Sequence, residues 1–300
     1  MKPKWKKRLL LGLITVVAIA VTLASVAVML FRAAPTWYRP LAMDPQRREA
    51  AAQRATNKLA MIQNEAARLR RDERLAERAA STSTTNPATI PAPGRPITVT
   101  FTEDELNAFF DKWAGWNDWK SKYQRYVEDP VVLLDDGRIV IAAKVRDMNT
   151  VASLHFEPRV TEDGLLSLRL ARVLGGKLPL PEAVLSKYRK RLSDAMAQNL
   201  PRWQHTASID SGGTPNASAV AATMGRLALH VLEHEPADPV LFLPLVDANL
   251  RPRSVAVRLT DVRIEDRTLT LTVEPMSGSQ RAELLKRIRE GAPVASVNGP

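Results

Sequence analysis

The chain has 300 residues and no cysteine, and its formal net charge is +11. The missing cysteines exclude disulfides, a thiolate zinc site, a cysteine nucleophile and a lipidated N-terminal cysteine. The basic excess is confined to the first third: residues 1–43 carry seven positive charges and no negative one, 44–80 nine against six, and 97–300 have 26 of each sign. A neutral body gives no electrostatic footprint for a phosphate backbone, so no nucleic-acid partner is expected, and the membrane-proximal charge suits anionic headgroups instead.

Leu9–Phe31 is 23 residues without a charge or a proline. As a helix it would be about 35 Å long, enough to cross a hydrocarbon core of roughly 30 Å. Its apolar run is longer than that of a cleavable signal peptide, which predicts an uncleaved single-pass anchor. Five positive charges crowd the first eight residues. Positive-inside counting therefore predicts a cytoplasmic N-terminus and an extracytoplasmic body, in a bacterial cytoplasmic (inner) membrane. Trp5 on one side and Trp37 and Tyr38 on the other are candidate interface anchors.

Asp44-Pro45 is a helix start, and residues 44–80 read as one polar helical stalk. Ala55, Leu59, Ile62, Ala66, Leu69 and Ala76 recur at heptad-like spacing. Two readings stay open for this thin seam: a solvated spacer, or a short coiled coil that makes a homodimer. Residues 81–96 are a Ser/Thr/Pro linker without the means to pack a core.

The folded body begins at Ile97 with a short strand. Thr102-Glu-Asp-Glu105 is a capping box opening a helix through Phe109 and Trp113. Residues 131–134, 138–145, 150–160 and 165–174 read as four antiparallel strands, joined in part by the hairpin signals Asp136-Gly137 and Asp163-Gly164. Helices follow near 182–200 and 217–234, then an apolar strand at 239–246, a hairpin at 255–264 and 268–273, and a helix at 280–289. The fold class predicted is α+β, a curled antiparallel sheet packed on helices, with the body at 97–276 and residues 277–300 as a C-terminal helix and tail.

The segments TEDELNAFF, DDGRIVIAAKV and EDGLLSLRLARVLGGKLPLPEAVL are similar to the YpmS-like family of membrane-anchored bacterial proteins, which resemble tubular lipid-binding (TULIP-like) modules. The resemblance covers roughly residues 97–275, and Gly175–Leu185 is its most specific piece. It implies an extracytoplasmic sheet wrapped around a long helix with an apolar groove, and no catalytic motif. Strand alternation puts Ile139, Ile141, Leu166, Leu168 and Leu170 on one side. Together with Phe109 and the helix stripe Leu185, Tyr188 and Leu192, they are the candidate groove for membrane lipid.

Trp113, Trp116, Trp119, Tyr123 and Tyr126 form a broad stripe at helical spacing. Core packing, a lipid-facing rim built on Trp113, Trp116 and Trp119, and a sugar-stacking platform are all compatible with it. His230-Val-Leu-Glu233-His234 matches an inverted zincin motif, but it sits at a helix end before Pro236, where histidine suits the helix dipole. No enzyme, cofactor or metal is expected. The function expected is non-catalytic lipid binding, and the alternative is an envelope scaffold with a filled core that binds other envelope proteins.

Overall fold

The computed structural model describes residues 22, 25–39, 43–82, 94–116, 119–209, 215–246 and 252–290. Trp5 and most of Leu9–Phe31 lie outside them. No helix among the described residues is long and apolar enough to cross a membrane. What is described of this stretch ends as a helix, α1, at residues 25–32.

The chain is α+β, with two antiparallel sheets and helices. The four-stranded sheet takes its strands from the two ends of the body, in the order β1 (Ile97–Thr102), β9 (Thr268–Pro275), β8 (Pro252–Glu265), β7 (Val240–Val246). The five-stranded sheet is a meander of β2 (Val127–Asp135), β3 (Arg138–Val145), β4 (Thr150–Val160), β5 (Leu166–Gly175) and the two-residue β6 (Leu178–Pro179). One curled sheet was expected, and the difference has a cause in the turns. Asp136-Gly137 and Asp266-Arg267 all have positive φ, the conformation of tight hairpin turns, so each local hairpin closes on itself. The β1–β9 pair, from Ile97↔Val273 to Thr102↔Thr268, then joins the two ends of the body.

Residues 45–82 form one helix, α2 (Pro45–Thr82), as the pattern predicts. It does not stand clear of the body, however. Ala55, Leu59, Ile62 and Ala66 are buried in one cluster with Val99, Phe101, Val255, Val257, Leu259 and Val273 of the four-stranded sheet. The thin seam is the face that lies on this sheet, where alanines let a helix approach closely. In this arrangement Ala55, Leu59, Ile62 and Ala66 face the chain's own sheet. Gly94, at the far end of the Ser/Thr/Pro linker, is also packed: a Cβ there would stand 2.6 Å from the Pro275 carbonyl. Residues 83–93 lie outside the described residues.

The capping box forms as expected. Glu105 N–H donates to Thr102 Oγ1 (3.3 Å) and Thr102 N–H to Glu105 Oε2 (3.0 Å), opening α3 (Glu103–Trp116), which the short α4 (Trp119–Tyr123) follows. Glu105 then does a second task across the helix pair, accepting from Lys58 Nζ at 2.6 Å and Arg54 Nε at 3.2 Å. Burial alone would raise its pKa, but these cations and the Thr102 amide hold it below the usual carboxylate range. Asn107 fastens α3 to β2 as a strand would. Its Nδ2 donates to Val132 O (2.7 Å) and its Oδ1 accepts from Val132 N–H (2.7 Å).

The other face of the four-stranded sheet is divided. On the β1–β9 side it carries threonines, paired as Thr98–Thr272 and Thr100–Thr270 at 3.0 Å each. On the β7–β8 side it is roofed by α5 (Glu182–Thr206), α6 (Ala217–Glu233) and α7 (Gly278–Glu290), with Ala219, Ala222, Val240, Ala256, Met276, Leu284 and Ile288 as their core. Thus α7 is part of the fold, not an appendage. Asn216 caps α6 by accepting from Ala219 N–H (2.8 Å). A Cβ at Gly225 would stand 3.0 Å from the Trp203 ring, which is why the α5–α6 contact is built on small residues.

Candidate functional site

The register of the five-stranded sheet puts Ile139, Ile141, Leu166, Leu168 and Leu170, the strand residues of the expected groove, on one face. Cross-strand partners share a side, so Leu134, Ile139, Phe156 and Leu170 form one row and Val132, Ile141, Leu154 and Val173 the next. Leu168 and Leu166 continue that face beyond Phe156, opposite Pro158 and Val160. A bulge between His155 and Phe156 keeps the two strands in phase. The rows differ in what covers them. Leu166 is buried in the main core at 4 % exposure, Phe109 packs against that core, and Ile139 packs beside Leu134 and Ile264. In the next row Ile141 is 43 % exposed and Leu154 37 %.

The helix expected to cover this face is α5. α5 packs chiefly on α6 and α7, because its C-terminal half carries Leu200 and Trp203 into the helical layer. Leu185 is half-buried, and the side chains of Tyr188 and Leu192 lie outside the described residues.

At its far end, the same face meets α1. Gly175 pairs with Ala152, and a Cβ on Gly175 would collide with the Phe31 ring. Gly176, with φ +60°, passes against the Phe31 carbonyl. Thr150 Oγ1 donates to that carbonyl, and Lys177 N–H donates to Leu30 O at 3.0 Å. Glycine is required twice here, once for contact and once for conformation. The conspicuous Gly175-Gly176 pair therefore seats the end of the apolar N-terminal stretch.

From Phe31 the chain crosses the end of the sheet onto its opposite face. On that face Val131, Val140, Ala142, Val151 and Ser153 are all buried. The cover comes in part from the strap at residues 33–39. Tyr38 packs against Val131, Ala142 and Val151 and donates to Asp129 O at 2.9 Å. Burial, with Asp129 nearby, pushes its phenol up to about 12. Trp37 stands edge-on to His155, ring centres 6.2 Å apart. Tyr38 and Trp37 thus pack on the sheet. A sequence signal for this cover existed: Ile139, Val140, Ile141 and Ala142 are apolar at both parities, as in a strand buried on both faces.

Three cavities are described, none of them an apolar tube. One of about 430 Å³ lies under the strap, lined by Trp37, Arg39, Glu103, His155 and Arg267 among others. One of about 270 Å³ lies in the helical layer beside Arg226, His230 and Arg287. The third, about 220 Å³, is lined by Arg48, Asp111, Lys120 and Tyr123. The histidine pair does not assemble as a metal site. His234 leaves the helix with φ +60° to cap it and is exposed, while His230 Nδ1 is 3.4 Å from Glu235. Among the described residues no three His, Asp or Glu side chains could share a metal ion.

The tryptophan-rich segment is divided by its own packing. Phe110 stacks on Tyr123 (6.1 Å) and leans on Trp113 (6.4 Å), and Tyr126 is 67 % exposed. The side chains of Trp116 and Trp119 lie outside the described residues. Comparison with protein-family models, with curated proteins and with solved structures found no match.

Proposed function

We propose that this chain is a non-catalytic, membrane-anchored extracytoplasmic module of tubular-lipid-binding type that holds a lipid acyl chain against the open face of its five-stranded sheet. In this reading Leu9–Phe31 is a single bilayer span with a cytoplasmic N-terminus, and the lipid comes from the membrane around it. The observation that supports it is the row Val132, Ile141, Leu154 and Val173, half open to solvent and only a few residues from Phe31 on the same face. At about 3.3 Å per residue, four residues of β4 separate Leu154 from Thr150 at the α1 end, roughly 13 Å. An acyl chain leaving the bilayer beside α1 would meet Ala152 and Ala143, then Leu154 and Ile141.

The lack of native cysteine makes a clean test possible. Leu154→Cys carries a polarity-sensitive fluorophore in the full chain, reconstituted in nanodiscs with mid-chain-brominated phosphatidylglycerol. Quenching several-fold above that of a label at Thr270→Cys, on the threonine face, is expected. Equal quenching at the two positions refutes acyl contact.

One observation favours a second reading, an envelope scaffold that binds other envelope proteins. The three described cavities are small and partly polar, so lipid would have to lie in an open groove and not in a tunnel. Under that reading lipid extracted from the purified chain matches the bulk membrane, and Ile141→Asp abolishes protein partners instead.

A further inference from the structure

The apolar N-terminal stretch reaches the body without a spacer. Its last turn is seated on the five-stranded sheet, where Thr150 Oγ1 donates to the Phe31 carbonyl and Lys177 N–H donates to Leu30 O at 3.0 Å. The turn before it stands clear: Val28 is 52 % exposed and Met29 74 %. The polar helix that would act as a stalk, α2, is itself laid on the four-stranded sheet. Whatever surrounds Leu9–Phe31 therefore meets the end of the five-stranded sheet on which α1 is seated.

Four strands contribute to that end. Tyr126 precedes β2, and its carbonyl accepts from Arg146 N–H at 3.0 Å. Residues 146–149 turn from β3 into β4, and Gly176 and Lys177 follow β5, with Gly176 N–H donating to Val151 O at 2.7 Å. At about 4.8 Å between strands, this edge is roughly 14 Å wide from β2 to β5. Two large apolar side chains stand out along it, Tyr126 at 67 % exposure and Met148 at 51 %. A tyrosine with an apolar ring and a polar tip suits a bilayer interface.

The charges of the sheet are sorted along its strands. At the α1 end, Arg32, Arg125, Lys144, Arg146 and Lys177 stand against Glu128 and Asp147. Glu128 is taken up by Lys144 (3.2 Å) and Arg146 (3.1 Å). Arg32, Arg125 and Lys177 are exposed and form no ion pair among the described residues. Asp129 lies farther back on β2, where its carbonyl accepts from Tyr38. The hairpin turns at the opposite end reverse the sign: Asp135, Asp136, Glu162 and Asp163, all exposed, stand against Arg138 and Arg159. An anionic surface attracts the first end and repels the second.

We propose that the α1 end of this sheet is a docking surface for the anionic lipid headgroups around the chain's own span. Arg32, Arg125 and Lys177 meet headgroup phosphates, and Tyr126 and Met148 enter the interface. The inference rests on the reading of Leu9–Phe31 as a bilayer span and adds the orientation of the body upon it. The strands run away from the bilayer, and Ala152 and Ala143, where the open row begins, lie next to it.

The test uses the full chain in nanodiscs, with one cysteine introduced at a time to carry a fluorophore and a lipid with a nitroxide on its headgroup as quencher. In discs containing phosphatidylglycerol, quenching of a label at Met148→Cys is expected to exceed that at Glu162→Cys about threefold or more, since the two lie roughly 35 Å apart along β4. A basic side chain at an anionic surface favours association about fivefold, so adding Arg125→Glu and Lys177→Glu to the Met148→Cys chain should cut its quenching by about half or more. Both side chains are exposed and unpaired, and replacing phosphatidylglycerol by zwitterionic lipid makes the same test without a further variant. A chain that fails to co-elute with the discs refutes the span and the docking together. A chain that co-elutes but is quenched equally at 148 and 162 overturns the docking alone. Quenching at 148 that ignores both the charge reversals and the lipid charge also overturns it, as does cross-linking through position 148 between two chains in place of quenching.

Discussion

The placement of α2 on the sheet is open to a direct measurement through Ile62, which is 2 % exposed and part of the main core. Ile62→Ala deletes three side-chain carbons, worth about 2.5 kcal/mol of transfer free energy at 0.8 per carbon. If roughly half of the vacated volume stays empty, about 40 Å³, the cavity adds about 1 kcal/mol. Alanine is the better helix former by a few tenths. The net expectation is about 3 kcal/mol. With a urea dependence near 3 kcal/mol/M, reasonable for a chain of this size, the unfolding midpoint falls by about 1 M. The assay is urea unfolding of the full chain in detergent, followed by tryptophan fluorescence. Met61→Ala, one position away and 56 % exposed, is the control and should shift the midpoint little. Equal effects at 61 and 62 would refute the packing. A loss at Ile62 that disappears as protein concentration rises would instead place the seam between two copies.

Two further outcomes concern the polar contacts. Asn107→Ala strips both hydrogen bonds from Val132 and should cost about 2–4 kcal/mol, seen as a drop in melting temperature of roughly 5–12 °C, whereas Ala at exposed Gln53 should leave the melt unchanged. His155 has its pKa lowered in the fold from 6.5, so the unfolded chain takes up a proton first as pH falls. Its contribution is fully present above about pH 6.5 and is lost progressively below it. Urea midpoints at about pH 7.5 and 5.5 should therefore fall further apart in the parent chain than in His155→Gln. Parallel behaviour of the two would refute that role.

Much of the fold was legible because its signals are local. Asp136-Gly137 and Asp163-Gly164 mark real turns, the Thr102–Glu105 box opens a real helix, and period-two alternation in Thr268–Val273 gives that strand its length. What was not legible depends on contacts distant in sequence. The seam at Leu59 and Ile62 has the same spacing whether its partner is another helix or a sheet made some two hundred residues later. The stripe Leu185, Tyr188 and Leu192 identifies an amphipathic helix without naming the surface beneath it, and α5 lies chiefly on α6 and α7. The groove residues did share a face, as strand parity requires. The strap was missed because Trp37 and Tyr38 read equally well as anchors at a bilayer interface. His155 was missed because an isolated histidine on a strand carries no pattern.

The position of α2 also has a bearing on how the protein is made. Its apolar seam leaves the ribosome early, but Val255, Val257, Leu259 and Val273, with which it is buried, are among the last residues of the body to be synthesised. Until β8 and β9 exist, Leu59 and Ile62 have no sheet to lie on, while the meander of β2 to β5 can pair from neighbouring sequence alone. Burial of the α2 seam therefore depends on contacts some two hundred residues distant in sequence, which are of the kind that close slowly. A chain cut short before residue 252 lacks β8 and β9, and the seam of α2 is then left without the sheet that covers it.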